Sequence, residues 1–405
     1  MKSKHNPPMD QIRRRFFWPF LLGSAVGLLS GCGEKTAVQS IPTASAREVS
    51  TSAAEKVVTI YTWDEYLNPA LLTEFEERTG IRVERLNYES SDEMVEGLKS
   101  EPGRYDLFVT EDGYIPILAG KRLIKPLEHE RLSNWKNLDA GHTDPPFDPK
   151  NEFTVPYLWG TTLLAYRKDL LPNPKHSWSL IFDPALKDKI SFLDDRMECY
   201  AGVLRTMQIN LPDADAGAIG KAADALVNLV NEGGLKLGGD NEMKSHLLDG
   251  LSSVAMIYSG DAARIANENK GVPIGYFIPE EGATVWTDSF CISRDTTRLE
   301  NAYKFLDFML EAKSAAASTN FLHYASPNRA AVEYIDPGVL ADQTIYPRPE
   351  VLDKCRYFKL KSVDSQREVN KGWRRVQEAW LSRSGQVSGE TEAPEEAGAP
   401  PALIQ

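Results

Sequence analysis

The chain has 405 residues, with 46 Lys and Arg against 58 Asp and Glu, and a formal net charge of −12 at pH 7. This acidic balance disfavours nucleic acid as a partner and favours cationic ligands. Once both ends are set aside, roughly 330 residues remain, which is enough for two lobes with separate cores.

The N-terminal segment has the pattern of an export signal. Arg13-Arg14-Arg15 precedes an apolar run from Phe16 to Leu29 that is too short to cross a membrane. Leu29-Ser30-Gly31-Cys32 then matches a lipobox, with cleavage before Cys32 and lipid on its sulfur. The alternative is an ordinary leader with a chance cysteine. We predict a lipoprotein signal peptide over 1–31, a flexible lipidated stalk over 32–54 and a disordered tail over 384–405.

Strand and helix signals alternate after the stalk. Val57 to Trp63 is β-branched and aromatic, as in a buried strand. Asn68 and Pro69 mark a helix start, and Gly80 marks its end. Next come a strand at Ile81 to Leu86, a helix opened by a Ser90/Glu93 capping box, and a strand at Tyr105 to Thr110. The β-α-β-α-β order predicts a parallel, doubly wound sheet, which binds ligands beyond the carboxyl ends of its strands.

A second unit begins near Phe153 to Leu158. Its strand signals are Ile190 to Leu193, Val254 to Tyr258 and Ile274 to Ile278. Its helix signals lie around Leu180 to Phe182, from about Glu198, at Ala216 to Val230, at Leu299 to Leu310 and at Gly372 to Leu381.

Three short stretches combine aromatic rings and carboxylates. They are Trp63-Asp64-Glu65-Tyr66, Asp194 to Glu198, and Trp286-Thr287-Asp288. We expect them at strand-to-helix junctions, the ligand-facing edge of such sheets. Ring faces attract ammonium groups and pack on methylenes, while carboxylates pair with the charge. The pattern therefore favours an elongated organic cation as ligand.

Enzyme signatures give no positive prediction. The chain contains neither HExxH nor GxSxG, so we predict no catalytic residue, no metal and no cofactor. A glycosidase using Asp195, Glu198 and Asp288 remains an alternative, as does a receptor for a sugar or ferric iron. The rings could also be core residues, and Asp195 or Asp261 could be helix caps. Cys199, Cys291 and Cys355 fit three buried thiols as well as one disulfide.

Over nearly all of residues 57–380 the chain resembles the spermidine/putrescine (polyamine) receptors of bacterial ABC importers. The strings that carry the resemblance are Tyr61 to Tyr66, Tyr88-Glu89-Ser90, Tyr105-Asp106-Leu107, Val155 to Gly160, Asp194 to Glu198, Glu281-Gly282 through Trp286 to Ser289, and Tyr324 to Asn328.

The resemblance implies an α/β, two-lobed periplasmic-binding-protein fold of type II, with doubly wound sheets joined by crossover hinge segments. Lobe 1 would comprise 55–157 and 289–330, and lobe 2 would comprise 158–288 and 331–383. It also implies a receptor rather than an enzyme, which delivers putrescine or spermidine to an ABC permease in the inner membrane. Such a protein would be a monomer on the periplasmic side, held there by the lipid on Cys32, and would bind no nucleic acid.

Position by position, the resemblance implies a set of ligand contacts: Trp63, Asp64, Tyr66, Glu111, Asp195, Glu198, Tyr258, Asp261, Trp286, Asp288 and Tyr324. One departure concerns Glu111-Asp112-Gly113, where the family commonly has Ser and then Tyr. Two extra acids there would suit a terminal amine, and the choice between putrescine, spermidine and a related amine stays open.

Overall fold

The computed structural model describes residues 56–268, 271–360 and 362–385. The predicted signal peptide, Cys32, the stalk and residues 386–405 of the predicted tail lie outside the described residues. Nine strands are present in the described part of the chain: β1 (Val57–Thr62), β2 (Arg82–Asn87), β3 (Leu107–Glu111), β4 (Thr154–Arg167), β5 (Ile190–Leu193), β6 (Lys236–Gly238), β7 (Val254–Tyr258), β8 (Ile274–Phe277) and β9 (Thr284–Ile292).

Twelve α-helices accompany these strands within the same residues: α1 (Pro69–Thr79), α2 (Ser91–Ser100), α3 (Ile115–Gly120), α4 (Arg196–Thr206), α5 (Ala216–Asn228), α6 (Asp240–Leu248), α7 (Ser259–Glu268), α8 (Leu299–Met309), α9 (Ala312–Leu322), α10 (Pro337–Ala341), α11 (Pro349–Leu352) and α12 (Val363–Ser384). Short 3-10 turns connect several of them, and Trp178–Phe182 is one.

A single mixed sheet holds all nine strands. Its order is β2-β1-β3-β9-β4-β7-β5-β6, with β8 paired to β4. At one end β1 is parallel to β2 and β3, and at the other end β5 is parallel to β6 and β7. Between these groups β9 runs antiparallel to both β3 and β4. The predicted β-α-β-α-β order is therefore confirmed, and β4 and β9 join the two parallel halves.

Helix α1 ends where the sequence predicts. The Asn68 side chain accepts a hydrogen bond from the Ala70 N–H, Pro69 is the first helical residue, and Gly80 closes the helix at φ 67°. At α2 the capping differs from the prediction by one residue. Ser90 accepts from the Glu93 N–H as expected, but the Glu93 carboxylate accepts from the N–H of Glu89. Ser90 thus supplies half of a capping box.

Three predicted elements have other bounds or positions. Strand β4 continues past Leu158 to Arg167, because its whole central part is buried and paired on both sides. Helix α12 begins at Val363 rather than Gly372. Trp286 and Asp288 lie inside β9, so their predicted position at a strand-to-helix junction is wrong. They reach the interior of the fold because β9 is a central strand.

The sheet is buried on both faces in its first half. Ile60 of β1 packs in one apolar cluster and its neighbour Tyr61 in another, and Leu107 and Phe108 of β3 divide in the same way. This division follows from the alternation of side chains along a strand. A third cluster, around Trp178, fills the other half. Cys199, Cys291 and Cys355 are all buried free thiols.

Candidate ligand-binding site

Aromatic rings from four separate segments form a continuous row. The ring centroids of Trp63 and Tyr66 lie 5.2 Å apart, and Tyr66 lies 6.1 Å from Tyr324. Tyr324 lies 5.2 Å from Trp286, which lies 5.6 Å from Tyr258. The structure therefore brings together all five aromatic residues that were predicted as ligand contacts.

Two glycines make room for this row. A Cβ at Gly160 on β4 would lie 2.6 Å from the Trp286 ring, and a Cβ at Gly260 would lie 2.6 Å from the Tyr324 ring. Neither glycine has a positive φ, so the close approach and not the backbone conformation requires glycine. Both rings can approach the backbone this closely only because glycine has no side chain.

The carboxylate of Asp288 lies beside Tyr66, near the Trp63 end of the row. Tyr66 Oη donates to Asp288 Oδ2 at 2.5 Å, and Asp288 is 7% exposed. Burial raises the pKa of Asp288 to about 7, although the Tyr66 hydrogen bond lowers it. Near neutrality, this buried carboxyl is stabilised either by binding a proton or by a positive charge placed beside it.

Glu111 on β3 lies directly opposite Asp288 on the neighbouring strand β9. The two residues are paired directly in the register of β3 and β9, which places their side chains on one face. Ser91 Oγ donates to Glu111 Oε1 at 2.8 Å. Burial, and after it the charge of Asp195, raise the pKa of Glu111 to about 8.

Asp195 and Glu198 supply the carboxylates of the second half. Asp195 caps α4, because its Oδ1 accepts from the N–H groups of Met197 and Glu198 at 2.7 and 3.1 Å. The helix-cap interpretation of Asp195 is thus confirmed. Thr162 Oγ1 donates to Glu198 Oε1 at 2.5 Å. Burial, followed by the charge of Asp195, raises the pKa of Glu198 to about 8.

Asp261 has a different environment from the other acids. Lys244 Nζ lies 3.2 Å and Arg264 Nη2 lies 2.9 Å from its Oδ1, and Tyr324 Oη donates to its Oδ2. Lys244 also pairs with Asp240 at 2.7 Å. Ion pairs within the described residues include Asp261 but none of the other buried or half-buried acids of the site: Glu111, Asp195, Glu198 and Asp288.

Asp64, which was predicted as a ligand contact, lies outside this cluster of rings and acids. Its side chain is 71% exposed and lies 3.5 Å from the Arg85 guanidinium. Asn87 Nδ2 also donates to its Oδ1 at 2.8 Å. Asp64 is therefore held by side chains of β2, while its neighbour Trp63 points into the ring row.

Sequence reasoning missed several residues of the site. Tyr157 lies 5.9 Å from Tyr66 between ring centroids and donates from Oη to the Tyr66 carbonyl at 3.1 Å. Lys244 and Asp240 carry no motif that would have marked them, since a charged pair four residues apart is usual on a helix surface. Asp112, one of the two extra acids that the sequence marks after β3, is 4% exposed, and burial followed by the charge of Glu111 raises its pKa well above the usual range.

A partly buried row of rings and acids between two parallel sheet halves suits a solute-binding protein. Residues 70–345 match the family of bacterial extracellular solute-binding proteins, and the chain belongs to that family. Membership confirms the predicted receptor role and the prediction that the protein is not an enzyme, which argues against the glycosidase alternative.

The relatives narrow the class further. The chain is 31% identical over 294 residues to the spermidine/putrescine-binding periplasmic protein of Escherichia coli K12, covering 72% of this chain and 83% of the relative. It is 30% identical over 342 residues to the putrescine-binding periplasmic protein SpuD of Pseudomonas aeruginosa, covering 80% and 93%. These relatives are periplasmic, which supports the predicted location.

A solved structure confirms the fold. The putative spermidine/putrescine ABC transporter protein from Listeria monocytogenes matches with a TM-score of 0.72 at 30% identity, covering 80% of this chain and 99% of that one. The predicted α/β, two-lobed fold of type II is therefore correct. Within the described residues, no helix combines the length and the apolar character needed to cross a membrane.

Proposed function

We propose that this protein captures a polyamine, putrescine or spermidine, between its lobes and delivers it to an ABC permease in the inner membrane. One observation carries the proposal: four buried or half-buried carboxylates surround a row of rings, and none of them forms an ion pair with a side chain in the described part of the chain. They are Glu111, Asp195, Glu198 and Asp288. A carboxylate taken out of water is costly unless it is paired or neutralised.

A polyamine satisfies both parts of this arrangement. Its ammonium groups form charge-assisted hydrogen bonds with the carboxylates, and its methylenes pack on the faces of Trp63, Tyr66, Tyr258 and Trp286. A sugar would satisfy the rings but would leave four acids without a counter-charge. The printed names of the relatives support the same ligand class.

The proposed lobes keep the boundaries predicted from the sequence: 55–157 with 289–330, and 158–288 with 331–383. The apolar clusters support this division, since one contains Ile60, Phe75 and Phe305 while another contains Trp178, Phe192 and Val376. The strands β4 and β9 cross between the lobes and would act as hinges in closing on the ligand.

The proposed location is the periplasmic face of a bacterial membrane, with the monomeric receptor tethered by lipid on Cys32. A single acyl chain anchors a protein only marginally, so more than one chain is expected there. The tether would keep the ligand-loaded receptor near its permease.

A ligand panel tests the proposal. The purified chain is titrated with putrescine, cadaverine, spermidine and spermine, and in parallel with sugars, amino acids and ferric iron. Binding to the folded state raises the melting temperature according to RT ln(1 + [L]/Kd). We expect at least one polyamine to raise it, with binding confirmed by calorimetry. A rise with a sugar or with ferric iron, and none with any polyamine, would overturn the proposal.

A further inference from the structure

Lys244 places an ammonium group of the protein itself beside the site. It projects from α6 with only 13% of its side chain exposed, and its Nζ lies 2.7 Å from Asp240 Oδ2 and 3.2 Å from Asp261 Oδ1. A lysine side chain is an ammonium on a four-carbon stem, the same chemical group as one end of putrescine.

The carboxylate of Asp261 already accepts hydrogen bonds from three donors of the protein. Its Oδ1 is shared by Lys244 and Arg264, and its Oδ2 accepts from Tyr324 Oη. Tyr324 belongs to the ring row, so this acid lies at the border of the proposed site. An incoming ammonium at Asp261 would compete with two cations that the protein already provides.

Asp240 also lies within electrostatic reach of the row. Its charge contributes to raising the pKa of both Tyr258 and Tyr324, after larger contributions from burial and from nearer acids. Asp240 and Asp261 together therefore form an acidic end of the site that Lys244 neutralises. The other acids of the site, Glu111, Asp195, Glu198 and Asp288, form no ion pair with a side chain of the described residues.

We propose that Lys244 is a specificity-determining residue, a built-in ammonium that fills the Asp240–Asp261 end and restricts the site to diamines in preference to longer triamines. The inference rests on the proposed function and deepens it. A diamine leaves the Lys244 pair intact, whereas the extra charged arm of a triamine competes with Lys244 for the same two carboxylates.

The test replaces Lys244 by methionine, which keeps an unbranched apolar stem and removes the charge. Calorimetry on the full chain measures putrescine and spermidine for the wild type and Lys244→Met. We expect the spermidine-to-putrescine affinity ratio to rise at least about 10-fold in the variant, with spermidine itself binding more tightly. Lys99→Met serves as the matched control, because Lys99 pairs with Glu96 on the surface of α2 at 3.3 Å.

Two results would overturn the inference. An unchanged ratio in Lys244→Met would show that Lys244 does not select the amine. Loss of both amines in Lys244→Met, with both retained in Lys99→Met, would show that Lys244 only holds the fold together.

Chemical rescue gives a second readout that does not depend on polyamine binding. In Lys244→Ala, propylammonium chloride should raise the melting temperature more than it does in the wild type, because it refills the vacated space between Asp240 and Asp261. Equal shifts in the two proteins would contradict the inference. A wild type that binds no polyamine while rescue succeeds would reject the proposed function and keep the role of Lys244 as a built-in ammonium.

Discussion

At the scale of single residues, the site contrasts acids that the protein neutralises with acids that it leaves unpaired. Asp261 has two cations and a tyrosine hydroxyl on its two oxygens. The Asp288 carboxylate accepts a hydrogen bond from Tyr66, has no ion pair within the described residues, and belongs to a residue that is 7% exposed. An ammonium ligand therefore gains more binding free energy at Asp288 than at Asp261. At Asp288 it pairs with a carboxyl that has no counter-charge, whereas at Asp261 it competes with existing ion pairs.

We predict that Asp288→Asn weakens polyamine binding at least about 30-fold. The change preserves shape and removes the charge, and a buried ammonium left unpaired costs roughly 2–5 kcal/mol, where 1.4 kcal/mol is a factor of ten. Isothermal calorimetry with the preferred amine measures the loss.

The control for Asp288→Asn is Asp224→Asn. Asp224 pairs with Arg375 on the exposed side of α5 and α12, where its side chain is 63% exposed. This control should bind the amine like the wild type. Equal affinity of Asp288→Asn and Asp224→Asn would place the ammonium elsewhere.

Polyamine binding should release protons and strengthen as pH rises. Burial raises the pKa of Glu111 and Glu198 to about 8 and that of Asp288 to about 7. Near neutrality these groups hold protons that an ammonium ligand displaces, so affinity should rise between about pH 6 and pH 8.5. Calorimetry in buffers of different ionisation enthalpy counts the protons, and a count of zero at pH 7 would contradict this assignment.

The same three carboxyls set the pH dependence of ligand-free stability. Each pKa is higher in the folded protein than in an unfolded chain, so the folded state binds more protons. Their contribution to stability is complete below the unfolded pKa of about 4 and is lost as pH rises through about 7 to 8. We expect the melting temperature of the free protein to fall across this window and saturating polyamine to reduce the fall. A larger fall with ligand than without it would refute the assignment.

At the scale of elements, β4 and β9 form the central part of the site. Strand β9 carries Trp286 and Asp288 and pairs with both β3 and β4. The register of β4 shifts between Pro156 and Leu158, so Tyr157 is an additional residue in a bulge. This bulge aims the Tyr157 ring at Tyr66, which the regular alternation of a strand would not specify.

We predict that Gly160→Ala destabilises the protein by about 1–3 kcal/mol and weakens amine binding, because overpacking forces neighbouring side chains to move. Its Cβ would lie 2.6 Å from Trp286 Cζ2 and 2.9 Å from Ser259 Oγ. Denaturant unfolding and calorimetry measure the two effects.

Gly338→Ala is the matched control for Gly160→Ala. It lies in α10, and a Cβ there would meet nothing within 4 Å. Because alanine favours a helix over glycine by about 0.5–1 kcal/mol, this variant should be as stable as the wild type or slightly more stable. If Gly160→Ala matched Gly338→Ala in both measurements, the close packing of Trp286 on β4 would have no energetic role.

At the scale of the whole molecule, we predict that Cys32→Ser releases the protein from membranes into the soluble fraction. The serine cannot carry the thioether-linked lipid that the lipobox predicts, and no other anchor is proposed. Fractionation with detection by immunoblot measures the distribution, and Cys355→Ser is the control because that thiol lies buried in the folded part. Membrane retention of Cys32→Ser would reject the lipoprotein prediction.

Much of the fold was accessible from local patterns. The cap at Asn68, the stop at Gly80 and the strand Ile190–Leu193 were predicted at the residues where the structure has them. These features depend on neighbouring residues alone, through side-chain capping, positive φ and β-branched runs. The extension of β4 to Arg167 was not predicted, because its strand partners are far away in sequence.

The sequence by itself determined which residue types make up the site: rings and acids suited to an organic cation, in a chain with an export signal. Tertiary structure alone decided how they are used. The register of β3 and β9 places Glu111 opposite Asp288. Asp64 is exposed and pairs with Arg85, and Lys244 lies close enough to Asp261 to neutralise it. The physical reason is that burial and the nearest charge determine whether a carboxylate needs a ligand, and both depend on segments that meet only in the folded chain.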